Sequence, residues 1–104
     1  MKTLEFLLLG KNEDILTILL RLVNAGENWN GVSFNNEKEA QEHFLNNKID
    51  IVLLSSAIED RIEKEFTSFC LKNQPDVEVI EHFGGGSGLL KSEILHRLHL
   101  KGKL

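Results

Sequence analysis

Apolar and polar positions follow two rhythms along this chain, and the switches between them mark out eight segments. Leu4–Leu9 (LEFLLL) and Ile49–Leu54 (IDIVLL) are nearly continuous apolar runs of strand length, the pattern of strands buried on both faces. Val32 and Phe34 alternate with polar neighbours, and Val77 and Val79 flank Glu78, which predicts two half-exposed strands. The segments between have helical spacing. Ile15, Ile18, Leu19 and Leu22 form a stripe that Leu16, Leu20 and Val23 widen. Ala40, Phe44 and Leu45 follow Asn36, a predicted N-cap with Glu39 three positions on. Ile62, Phe66, Phe69 and Cys70 recur at helical intervals, with Pro75 beyond the helix end. Leu90, Ile94 and Leu98 repeat every fourth residue, and Arg97, Lys101 and Lys103 suit the negative end of that last helix's dipole.

The element order is therefore β-α-β-α-β-α-β-α. Such alternation predicts a parallel sheet with helices on both faces and right-handed crossovers, a three-layer α/β sandwich. The two continuous strands, first and third, belong at the centre, and the second and fourth at the edges. That predicts a four-stranded sheet of order 2-1-3-4, the flavodoxin-type order with its fifth strand missing. The fourth strand is then an open edge, to which Glu78 and Glu81 bring charge. The first helix is apolar over more than one stripe, wider than contact with a sheet requires. A second neighbour is expected there, either the last helix or another subunit.

Bulk properties narrow the setting. The 104 residues make one domain, 1–104, with ordinary hydrophobic (41%) and charged (27%) content. Twelve Lys and Arg against sixteen Asp and Glu give a net charge of −4, which disfavours nucleic acid as a partner. One cysteine, Cys70, rules out an internal disulfide framework and suits a reducing compartment. The apolar runs fall short of the roughly 20 residues that span a bilayer, and no signal-peptide pattern follows residues 1–9. A cytoplasmic protein without membrane attachment is expected.

The stretches "LEFLLLGKNEDILTILLRLV", "EKEAQEHFLNNKIDIVLLSS" and "PDVEVIEHF" resemble the receiver domain of bacterial response regulators over roughly residues 3–83. They are similar to its first strand and helix, its second helix and third strand, and its fourth strand. The resemblance implies a flavodoxin/receiver-like fold and a phosphotransfer site with an aspartate acceptor, two acids holding Mg²⁺, a hydroxyl on the fourth strand and a lysine on the fifth. This sequence departs at every position. The acidic pair falls on Gly10 and Lys11, the acceptor on Ser55 and the hydroxyl on Phe83, and the fifth strand with its lysine is missing. Mg²⁺ requires carboxylate oxygens, and Lys11 brings a positive charge close to where the ion would sit. A degenerate receiver, with no catalytic residue, metal or cofactor, is the expectation.

The remaining chemistry is concentrated in "EHFGGGSGLL", Glu81 to Leu90, where an apolar strand leads into Gly84, Gly85, Gly86, Ser87 and Gly88. A Walker loop requires Lys directly after its last glycine; here Leu89 and Leu90 intervene before Lys91 and Ser92, turning that lysine by about 200°. The dinucleotide fingerprint fails as well, because Leu89 takes the place of its third glycine. Glycines at a helix start still expose amides to an anion, and they also serve a plain turn or the approach of another chain. The carboxyl edge of the sheet would gather Lys11, Asn12, Ser55, Ser56, His82 and the Gly84–Gly88 loop, a cationic and hydroxyl-rich group suited to an anion. Strand ends also carry such residues as simple polar caps. His82 with Ser55 or Ser56 has neither a nucleophile elbow nor an orienting acid. His96 and His99 lack a third metal ligand. Trp29 is expected to pack a loop onto the second strand.

Two functions stand ahead of a third, a small hydrolase or phosphotransfer variant using Ser55, Ser56 or His82. One is a non-catalytic, receiver-like signalling or protein-interaction module, working as a homodimer. The other is a small anionic-ligand-binding domain using the Gly84–Gly88 loop.

Overall fold

The two uninterrupted apolar runs are the inner strands of the sheet. The structure, a computed structural model, describes residues 3–55 and 58–83, the last three by backbone alone. Within them run β1 (Leu4–Leu9), α1 (Glu13–Asn24), β2 (Trp29–Phe34), α2 (Glu37–Asn46), β3 (Ile51–Ser55), α3 (Asp60–Asn73) and β4 (Glu78–Phe83). All pairings are parallel and the order is β2-β1-β3-β4, as the strand chemistry predicts. The expected fourth helix and the missing fifth strand concern residues outside those described.

Period-two alternation along β1 divides the core in two. Leu4, Phe6 and Leu8 pack with Leu16, Leu19 and Val23 of α1 and with Ile51, Leu53 and Ile80. Leu7 and Leu9 point the other way, into a layer with Ala40 and Phe44 of α2 and Phe66 and Cys70 of α3. A strand that serves both layers is apolar along nearly all its length, and all five residues of β3, Ser55 included, are buried. Cys70 sits within the second layer, and burial pushes its thiol up to about 12, so it packs as an inert apolar group.

Polar side chains fix the element ends. Asn12 and Asn36 cap α1 and α2, accepting from the amides of Ile15 (3.1 Å) and of Lys38 and Glu39 (2.9 and 3.2 Å). At the amino edge of the sheet, Asp50 Oδ2 accepts from the Glu5 amide at 2.9 Å. Gln74, just past α3, donates from Nε2 to the carbonyls of Phe44 and Asn47 and accepts at Oε1 from the Ile49 amide, each at 3.0 Å.

The edges differ from expectation. β2 carries no charged residue, yet two of its outward amides are closed: Trp29 donates to the Gly26 carbonyl (3.2 Å) and Gly31 to Asn24 Oδ1 (2.8 Å). A helix-terminal asparagine thus blunts this edge, where charge would be the commoner device. On β4 the expected solvent-facing Glu78 is 7% exposed, and its neighbour on the same face, Ile80, is 1% exposed. Alternation around Glu78 suggests a wet face, whereas this strand is covered on both sides at that point. Glu78 therefore does not charge an open edge.

Candidate functional site

In this topology ligands bind beyond the carboxyl ends of the strands, at the switch point between β1 and β3. The two strands end level, with Leu9 opposite Leu54, and the next residues, Gly10 and Ser55, meet directly. A Cβ placed on Gly10 would lie 2.7 Å from Ser55 Cβ and 3.3 Å from Leu16 Cδ2. Real Cβ atoms do not approach so closely, so glycine is required by packing. Ser55 is 1% exposed. The centre of the edge is filled with protein atoms.

Lys11 and Asn12 leave Gly10 in the β1–α1 connection. Lys11 reaches sideways to the start of α2: its Nζ lies 2.7 Å from Glu37 Oε1 and donates to the Asn35 carbonyl at 3.1 Å. The ammonium beside it, with a backbone hydrogen bond, holds the Glu37 carboxyl below its ordinary value of 4.5. Both partners are partly exposed, so the pair contributes less than about 1 kcal/mol. A depressed carboxylate stabilises the fold above its unfolded pKa, and the contribution fades as pH falls through the folded one. Lys11→Met is therefore expected to lower the melting temperature slightly at pH 7 and to match the wild type in strong acid. Melting curves from about pH 2 to about pH 7, which span the carboxylate range, check this. Asn12, meanwhile, spends its side chain on the α1 cap.

Of the other expected residues, Ser56, Gly84, Gly85, Gly86, Ser87 and Gly88 lie outside the described residues, as do His96 and His99. His82 is described by its backbone, within a shift of the β4 register: Ile80 faces Leu53, but Phe83 faces Ser55. One extra residue in β4 makes a bulge, a feature that re-aims side chains at strand ends. Phe83 is opposite Ser55, where the resemblance put a hydroxyl opposite an acceptor. Lys11, Asn12 and Ser55 all lie at the carboxyl edge of the sheet, but their polar groups do not converge: one is paired, one caps a helix and one is buried.

A groove that the sequence did not suggest opens beside them, at the carboxyl end of β2. It measures about 390 Å³ and is lined by Glu13, Leu16 and Thr17 of α1, Ser33, Phe34 and Asn35, and Glu39 of α2. Asn35 Nδ2 donates to Glu13 Oε1 at 2.9 Å. Its charge is negative, opposite to that expected of an anion site. Trp29 opens β2 and packs its ring 4.9 Å from that of Phe6.

The resemblance to receivers implies a divalent ion between the ends of β1 and β3, and the described residues there do not fit one. Gly10 offers no ligand, Lys11 is a cation, and Ser55 is a buried hydroxyl. Among the described residues no three His, Cys, Asp or Glu side chains are grouped to hold a metal, and no helix is long and apolar enough to cross a membrane. No protein-family model matches the chain, and no curated protein matches it. Among solved structures it is similar to the signal receiver domain of an HD domain-containing protein from Pseudomonas fluorescens Pf-5. The TM-score is 0.65 at 12% identity, over 99% of this chain and 100% of that one. Strand order, parallel register and this structural likeness together give the chain a receiver-like, flavodoxin-type α/β fold.

Proposed function

We propose that this chain is a non-catalytic, receiver-like signalling module that lacks the phosphoacceptor and acts through protein contact, as a homodimer. The observation that carries this is the packing of Gly10 against Ser55. Where the resemblance puts a carboxylate pair and an acceptor, this sequence has Gly10, Lys11 and Ser55, and a Cβ on Gly10 would lie 2.7 Å from the Cβ of the buried Ser55. Phosphoryl transfer relies on positioning and charge stabilisation by such groups, and Gly10, Lys11 and Ser55 supply neither the acids nor the acceptor that the resemblance calls for. Incubation with acetyl phosphate and Mg²⁺, followed by intact-mass measurement, is expected to give no added phosphoryl group. A stable adduct on Ser55 would overturn the reading.

The alternative, a small anionic ligand on the Gly84–Gly88 loop, draws support from the loop's amides and from the usual ligand position in this topology. Lys11 adds little to it, since Glu37 already neutralises that ammonium. A melting temperature that rises with inorganic phosphate or nucleotides, and no longer does so in Gly86→Val, would favour it.

A further inference from the structure

Beside its core face, α1 carries a second apolar row that runs from the edge of the core to the exposed Ile18. Leu16, Leu19 and Val23 face the core. Ile15, Ile18, Leu22 and the cap residue Ala25 follow one another at intervals of three, four and three residues, the spacing of a coiled-coil seam. Ile15 and Leu22 are packed against the edge of the core, while Ile18, between them, is 53% exposed. Asp14 and Arg21 flank the seam one position before Ile15 and Leu22, both exposed, and neither side chain pairs with another described residue.

In heptad terms Asp14 and Arg21 occupy equivalent flanking positions of opposite charge, two turns apart. When two such helices lie antiparallel, these positions face each other across the seam. Asp14 then meets the partner's Arg21, and the twofold axis repeats the pair. The same rotation sets Ile18 against the partner's Ile18 and Ile15 against the partner's Leu22. A parallel arrangement would set Asp14 opposite the flank holding Leu19, where no cation stands. The charge pattern is thus self-complementary in one orientation.

We infer that the surface joining two copies of this chain is α1 against α1, antiparallel, with Ile18 at the axis and two Asp14–Arg21 pairs at the rim. The inference rests on the homodimer in the proposed function and names its surface. One short helix per side is a small interface, so association is weak. Sedimentation velocity from about 20 µM to about 1 mM should show a reversible monomer–dimer equilibrium across this range of weak affinities. Ile18→Glu changes an exposed residue and should leave the circular dichroism spectrum intact while raising the dissociation constant at least about tenfold. Arg21→Asp should weaken the dimer similarly, through like charges at both rims, and Asp14→Arg combined with Arg21→Asp should restore it to within about threefold.

A dimer indifferent to Ile18→Glu overturns the α1 surface and leaves the homodimer standing. A charge exchange that fails to restore association overturns the antiparallel pairing on which the inference depends. A monomer at about 1 mM, where even millimolar affinity would register, overturns both the surface and the homodimer. The non-catalytic reading falls only with a phosphoryl adduct.

Discussion

Gly10→Val is expected to destabilise the protein by about 3 kcal/mol, at the upper end for overpacking a core position. On a domain of this size that lowers the melting temperature by roughly 12–20 °C. Even the first atom of the new side chain would lie 2.7 Å from Ser55 Cβ, and the contact on its other side is Leu16 of α1. Neither neighbour is the loose end of a surface chain: Ser55 is 1% and Leu16 5% exposed. A double-mutant cycle sharpens the test. Gly10→Ala combined with Ser55→Gly removes the opposing Cβ, and should show a favourable coupling of about 1 kcal/mol, the size seen between residues in contact. Additive effects would mean that the two strand ends do not touch, and the non-catalytic reading proposed above would lose its main support. Gly10→Asp meets the same obstacle, because its Cβ would stand 2.7 Å from Ser55 Cβ.

The sheet was legible in the sequence because burial on two faces leaves a strand few polar positions. LEFLLL and IDIVLL, each with a single acid, belong at the centre, and the order follows. The Asn36 cap was legible too, being a local motif with a local partner. What could not be read depends on contacts between distant residues. Glu78 follows alternation into solvent on paper, yet lies on a covered face shared with Ile80. The closure of the β2 edge by Asn24 joins a helix end to a strand seven residues on, with no motif to announce it. Lys11 was expected to face the centre of the carboxyl edge, and its ammonium is instead drawn to Glu37, on a helix 26 positions away by the numbering of the two residues. The polar groove next to α1 and β2 is assembled from three elements and has no signature in any one of them.

Gln74 is the strongest case of such a residue. Read along the chain, it is one polar position between the end of a helix and Pro75. In the fold its amide joins three elements: Nε2 donates to the carbonyls of Phe44 and Asn47 at the end of α2, and Oε1 accepts from Ile49 just before β3. Its backbone closes α3, donating to the Cys70 carbonyl at 2.8 Å and accepting from Val77 at 3.0 Å. Truncation to alanine removes three hydrogen bonds and strands partners in a part-buried site, which at about 1 kcal/mol each amounts to a loss of about 3 kcal/mol. Gln74→Glu separates donor from acceptor. It keeps an oxygen for the Ile49 amide but sets a carboxylate against two carbonyls, so at neutral pH it should be at least as damaging as alanine. Lowering the pH toward the carboxylate range returns one donor, and the Glu variant should then recover relative to Ala. Urea denaturation of the three proteins at two pH values reads the difference. Equal stability of wild type and Gln74→Ala would show the amide network to be dispensable. Because Gln74 lies at the amino edge, with the sheet between it and α1, the dissociation constant of the proposed α1 dimer should not change in either variant. Stability at one end of the strands and the proposed association through α1 would then be separable.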